Sequence, residues 1–207
     1  MPGDLMSNAP PVELDELVLR RLLDRPMQRL LTASVRAALN IVISGDTRSS
    51  NTMLDALRAC IPVQERPERL VARDVRGARV LRLVQAMARG AGALVTVNTA
   101  SADEALSTLT ADDATPAAPA TPVAATAGNA VDLIVHLERT GAGGDRVGEV
   151  ATPVLLCRQC GLATVASFET EPAHSCGRFR HYPLSARLAR RLNDSGQPIP
   201  AAFRDFS

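Results

Sequence analysis

The sequence predicts an α/β fold around a mainly parallel sheet, and three observations carry that prediction. Short, almost wholly apolar runs at residues 40–44 and 93–98 have the composition of strands buried on both faces. Between such runs, apolar residues recur three and four apart, as on amphipathic helices. Strand and helix patterns then alternate, the order from which right-handed crossover units are built.

Residues 1–11 read as a disordered tail. Leu14, Leu17, Leu19, Leu22 and Leu23 form one apolar stripe, and Met27, Leu30, Leu31, Val35 and Leu39 form the next. Pro26 is placed at the first position of the second helix. A strand at 40–44 leads through a small-polar turn to a helix over about 51–60, stopped by Pro62. A strand at 69–75, a helix at 77–87 and a strand at 93–98 follow, and Ser101 with Glu104 makes a capping box for a helix ending at Leu109. Residues 110–129 hold three prolines among Ala and Thr and no large apolar side chain, which predicts a flexible linker. Alternating Val131, Leu133, Val135 and Leu137 mark a further strand. Residues 147–156 and 162–168 make a hairpin around 157–161, and a helix lies near 185–193. The expected organisation is a tail (1–11), a core (12–109), a linker (110–129) and the C-terminal part of the core with its cysteine-bearing hairpin (130–207).

Composition narrows the function. At 207 residues the chain is long enough for one domain with a sizeable core. A net charge of +1, with no Trp, one Tyr and four Phe, gives neither a basic surface nor a stacking platform for nucleic acid. No apolar run approaches 18 residues and no charged-then-apolar leader opens the chain. A cytoplasmic protein, at most peripheral at a membrane, is expected, with its four cysteines as thiols or metal ligands.

The stretch 39–57 carries the most chemistry: a β-branched strand, a turn, then an amphipathic helix. That is the layout of a phosphate-binding P-loop, G-x-x-x-x-G-K-[ST]. Gly45 and Thr52 fill the first and last places. Ser50 stands for the second glycine and Asn51 for the lysine, with Thr47, Arg48 and Ser49 between. Asn51 donates hydrogen bonds but brings no charge to a phosphate, and Ser50 adds a Cβ where backbone and phosphate approach closely. The reading is a P-loop frame emptied of its cation. Gly45, Thr47, Arg48, Ser49, Ser50, Asn51 and Thr52 are the candidate nucleotide-binding residues.

These segments, with 69–78, 84–90, 95–101, 130–139 and the C-terminal Gly-Arg-Phe-Arg of 177–180, resemble in shared order the type II/IV secretion ATPase superfamily. The nearest branch is the Tad/Flp pilus-assembly ATPases. The resemblance implies a RecA-like P-loop core, here reduced in strand number, plus a C-terminal β-hairpin and helix. It places Asp74 where the family has its Walker B glutamate, with Arg73 in place of a glycine and able to neutralise it. Asn98 stands where the family has a histidine. The family's acidic-box segment has no counterpart between Cys60 and Leu70, and its N-terminal domain has none before the core. Asp74 and Asn98 are therefore vestigial, and the resemblance implies a degenerate homologue without turnover. Such a chain acts as an adaptor or regulatory subunit beside copies of itself or an intact ATPase of the family. A weak ATPase with residual Mg-ATP binding, in which Arg48, Asn51 and Asp74 compensate, is the first alternative. A zinc-stabilised binding module is the second.

Smaller features have simpler readings. His136 on an alternating strand reads as solvent-facing or satisfied, and Asp132 and Arg139 as strand-edge or subunit contacts. Arg76 is a partner for Asp74, Cys60 a small core residue, and Arg187, Arg190 and Arg191 a solvated helix face. The spacing Cys157-x-x-Cys160-Gly161 at a strand turn is that of a zinc knuckle, and His174-x-Cys176 completes a four-ligand set for tetrahedral zinc. A redox pair or two incidental thiols are the other readings. Zinc as a structural staple predicts about one equivalent of metal per chain in elemental analysis after chelator-free purification; less than about half an equivalent would sink it.

Overall fold

The computed structural model describes residues 13–90, 92–110, 128–139, 144–156, 159–170 and 177–204. Two helices come first, α1 (Leu14–Leu19) and α2 (Arg25–Arg36). The start of α2 is set by Asp24, whose Oδ1 accepts the Met27 amide at 3.0 Å. Pro26 is consequently the second helical residue and not the first. Then follow β1 (Ile41–Ser44), α3 (Thr47–Ala59), β2 (Leu70–Ala72), α4 (Arg79–Ala88), β3 (Ala93–Val97) and α5 (Ala102–Thr110). Half of the expected capping box forms: Ser101 Oγ accepts the Glu104 amide at 3.0 Å, while the Glu104 carboxylate accepts the amide of Ala100, one residue before the cap, at 2.6 Å. The chain continues with β4 (Leu133–Arg139), β5 (Asp145–Leu156), β6 (Gln159–Thr170), β7 (Gly177–His181) and α6 (Ala186–Asp194).

The strands make one seven-stranded sheet in the order β2-β3-β1-β4-β5-β6-β7. The first four run parallel; from β4 onward every pairing is antiparallel. The expected hairpin is β5–β6, but it is no appendage. It pairs along the free edge of β4 and satisfies a row of backbone groups that would otherwise be open. Strand β2 is shorter than the expected 69–75, because Asp74 turns the chain into the left-handed region (φ +48°). The expected linker falls on 111–127, outside the described residues. Thr110 still belongs to α5, and 128–130 are already helical.

Alternation along the parallel strands divides the core. Ile41, Ile43, Leu94, Leu133 and Val135 pack with α1, α2, α3 and α6 on one face. Val42, Val95, Val97 and Ile134 pack with α4 and α5 on the other. Both faces are thus covered, as continuous apolar strands require. None of the described helices is long and apolar enough to cross a membrane.

At the amino ends of the parallel strands sits a buried polar knot. Asn40, 2% exposed, donates from Nδ2 to Met87 O (3.1 Å) and Ala130 O (2.6 Å), and its Oδ1 accepts the Ala93 amide at 2.9 Å. Its own amide donates to Asp132 Oδ2 at 2.8 Å. The Asp132 side chain is 1% exposed and is closed off by Arg191 and, at 3.3 Å, Arg187. Asp132 is therefore no strand-edge contact, and Arg187 and Arg191 are not a merely solvated face: they pin α6 to the sheet. Burial raises the Asp132 carboxyl above its ordinary value, against the pull of the Asn40 amide and the two guanidiniums. Removing one partner of such a group strands the others. Asp132→Ala is expected to lower unfolding stability by about 2–4 kcal/mol in urea titration. Arg20→Ala, at an exposed pair with Glu16, should cost less than about 1 kcal/mol. Equal effects of the two would refute the knot's importance.

Candidate functional site

In an open α/β sheet the ligand crevice lies beyond the carboxyl ends of the strands, where the strand order reverses. Here that place is β1, whose connection runs back past β3 to β2 while that of β3 runs forward past β1 to β4. A cleft of about 740 Å³ opens there, lined by Gly45, Asp46, Asn98, Glu104, His136 and Arg139. Gly45 has φ +131°, and a Cβ on it would stand 2.6 Å from Leu137 O, so only glycine passes this turn.

Directly after Gly45 the structure departs from the expected loop. Helix α3 begins at Thr47, not near Asn51, so residues 47–52 are its first two turns. Asp46 is the cause. Its Oδ1 accepts the amides of Arg48 (2.9 Å) and Ser49 (3.2 Å), and its Oδ2 accepts the Ser49 hydroxyl at 2.7 Å. The carboxylate thus takes the helix-end amides that a P-loop offers to phosphate. The Ser49 hydroxyl first, then the two amides and Arg139 (3.7 Å away), hold the Asp46 carboxyl below its ordinary value, so it stays charged.

The other candidates are distributed around this cap. Thr47 Oγ1 accepts from Asn98 Nδ2 at 3.3 Å, which brings Asn98 to the head of α3. The Thr52 hydroxyl donates back to Arg48 O at 3.0 Å within the helix. Ser50 is 1% exposed and its hydroxyl has no partner among the described residues. Asn51 Oδ1 accepts from the Thr96 hydroxyl (3.4 Å), which itself accepts the Asp74 amide (2.8 Å). Arg48 is exposed and lines a separate hollow with Arg20 and Arg139. The Asp74 carboxylate is held by Arg76 at 2.9 Å. Arg73, expected beside it, pairs with Asp55 instead. The arrangement gathers Gly45, Thr47, Asn51, Asp74 and Asn98 at one end of the sheet, but no lysine is present and the amides are taken. As arranged, these donors do not fit a magnesium-bound triphosphate.

Two features escaped the sequence reading. One is the Asp46 cap, legible as Asp immediately before a helix with Ser three residues on. The other is a buried pair: Ser44 Oγ and His136 Nδ1 share a hydrogen bond of 2.9 Å between neighbouring strands, with Ser44 0% and His136 6% exposed. Of the two readings given for His136, solvent-facing or satisfied, burial removes the first and the bond to Ser44 supports the second. Cys60 is half-buried and burial raises its thiol, in keeping with a packing residue. Of the zinc candidates, Cys157, His174 and Cys176 and the side chain of Cys160 lie outside the described residues. Among the described residues no group of three His, Cys, Asp or Glu side chains is placed to hold a metal.

No known family model and no curated protein matches the sequence significantly. Among solved structures, the fold is similar to the VirB11 ATPase of the Brucella suis type IV secretion system, crystallised with sulphate. The TM-score is 0.50 and the identity 16%, over 69% of this chain. The chain spans 65% of that protein's length, and at this identity the likeness is one of fold.

Burial lowers the pKa of His136 below 6.5, so the folded protein holds a neutral ring. The unfolded chain takes up that proton first on acidification. The contribution is complete above about 6.5 and is lost as pH falls below it. The urea midpoint is expected to drop from pH 7 to pH 5, with a shallower drop in His136→Gln; parallel curves for the two proteins would contradict this.

Proposed function

We propose that this chain is a secretion-ATPase-like domain that does not turn over nucleotide and serves as an adaptor or regulatory subunit. Its setting is a cytoplasmic pilus-assembly or secretion complex of the Tad type. The supporting fold is a secretion-ATPase-like sheet with its crevice at β1. The observation that carries the reading is the Asp46 carboxylate on the Arg48 and Ser49 amides. An incoming phosphate would meet that charge; at 4 Å the repulsion is about 1–4 kcal/mol per unit charge, depending on how wet the cleft is. Phosphoryl transfer rests on positioning and charge neutralisation together. The lysine is absent, Thr52 is bonded into its own helix and Asp74 is engaged by Arg76. A domain so built keeps the outer surfaces of the fold for contacts with like subunits, its own copies or an intact ATPase, while its centre is inert. The cysteine-bearing segment serves as a zinc staple in this reading, on the strength of its spacing alone.

Purified protein is expected to release no phosphate from Mg-ATP above a protein-free blank and to show no saturable heat on titration with a non-hydrolysable analogue. Magnesium-dependent hydrolysis abolished by Thr52→Ala and Asp74→Asn would establish the weak ATPase instead.

A further inference from the structure

A groove of about 450 Å³ runs along α2 against the C-terminal segment that ends in the turn Ala201–Phe203. Its floor is apolar, with Ala33, Ile199 and Pro200, and its rim carries Arg29, Arg36 and Arg204. None of the described lining residues is acidic. Arg29 and Arg36 stand seven residues apart on one helix, about 10 Å along its axis. Neither makes a hydrogen bond or ion pair among the described residues. Arg204 gives only its Nε, to Ile199 O at 3.1 Å, which leaves its other donors uncommitted.

Arg20, Arg25, Arg69, Arg73 and Arg76 each sit on a carboxylate, whereas Arg29 and Arg36 are among the arginines that do not. A concave strip with three guanidiniums, no acid and an apolar floor is what an acidic amphipathic segment complements. A small inorganic anion would leave the floor bare, and a flat lipid surface does not enter a groove.

We propose that this groove is a docking site for an acidic amphipathic helix of a partner protein. Two carboxylates about two turns apart meet Arg29 and Arg36, and an apolar side chain between them covers Ala33 and Ile199. The assignment goes beyond the adaptor reading. The groove shares no lining residue with the cleft at β1, so the nucleotide titration does not decide it.

The probe is a fluorescein-labelled Ala/Leu/Glu helix with two glutamates two turns apart on one face and leucine between them. A scrambled peptide of the same composition is the control, and both are titrated with the full chain by anisotropy. The matched peptide is expected to bind at least about tenfold tighter than the scrambled one. The double variant Arg29→Glu/Arg36→Glu should lose about tenfold or more of that affinity at an unchanged melting temperature. Arg29→Gln/Arg36→Gln should show a smaller loss, and it serves if charge reversal impairs folding. Equal binding of the two peptides, no binding of either, or wild-type affinity in the glutamine variant would overturn the proposal.

Discussion

The hydrogen bonding of Asn40 and Asp132 is the constraint on which the rest of the molecule depends. Asn40 precedes β1 and, through one amide side chain, reaches the end of α4, the first residue of β3 and the segment before β4. Those contacts come from parts of the chain 47, 53 and 90 residues away. In a parallel sheet no tight turn sets the register of adjacent strands, so something else must. Here a single buried amide sets the start of three strands, and Asp132 carries the bond onward to α6. A buried carboxylate is tolerable only with its lone pairs filled, and the Asn40 amide with two arginines fills them.

Once the amino ends are aligned, the carboxyl ends of β1 and β3 finish level while β4 runs on to Arg139, and the residues beyond β1 and β3 meet the end of β4 in one cleft. Strand geometry brings Asn98 to Thr47 and Thr96 to both Asn51 and Asp74. The chemistry at that address then depends on one residue. Asp46 caps α3 at its own first turn and converts an anion-seeking helix end into a satisfied one. The same scaffold can host a phosphate or exclude it according to whether the residue after Gly45 brings a carboxylate to those amides.

The antiparallel half gives the molecule its remaining surfaces. Strands β5 to β7 extend the sheet and pack Phe168 edge-on against Phe179 at 5.0 Å, with the Arg146 guanidinium 3.8 Å from the Phe168 ring centre. His181 Nε2 lies 2.9 Å from Asp24 Oδ2, which brings the last strand beside the cap of α2, though without a hydrogen bond between them. His181 also packs edge-on against Phe203 at 5.0 Å, which holds the C-terminal turn against the last strand.

By itself the sequence determined the strand and helix types, their alternation and the two-sided burial of β1 and β3. These follow from local periodicity and from which side chains are apolar, both of which are written along the chain. The absence of lysine was equally legible, because a missing charge needs no coordinates. Tertiary structure alone decided that the β5–β6 hairpin joins the sheet, that Asp132 is buried and that Arg73 turns to Asp55 while Arg76 keeps Asp74. Those outcomes depend on partners distant in sequence, which no local pattern encodes. The start of α3 stands between the two. The Asp46 cap could be read locally, but the longer loop of a P-loop template displaced it. Only a carboxylate placed on two helix amides shows which of the two patterns the backbone follows.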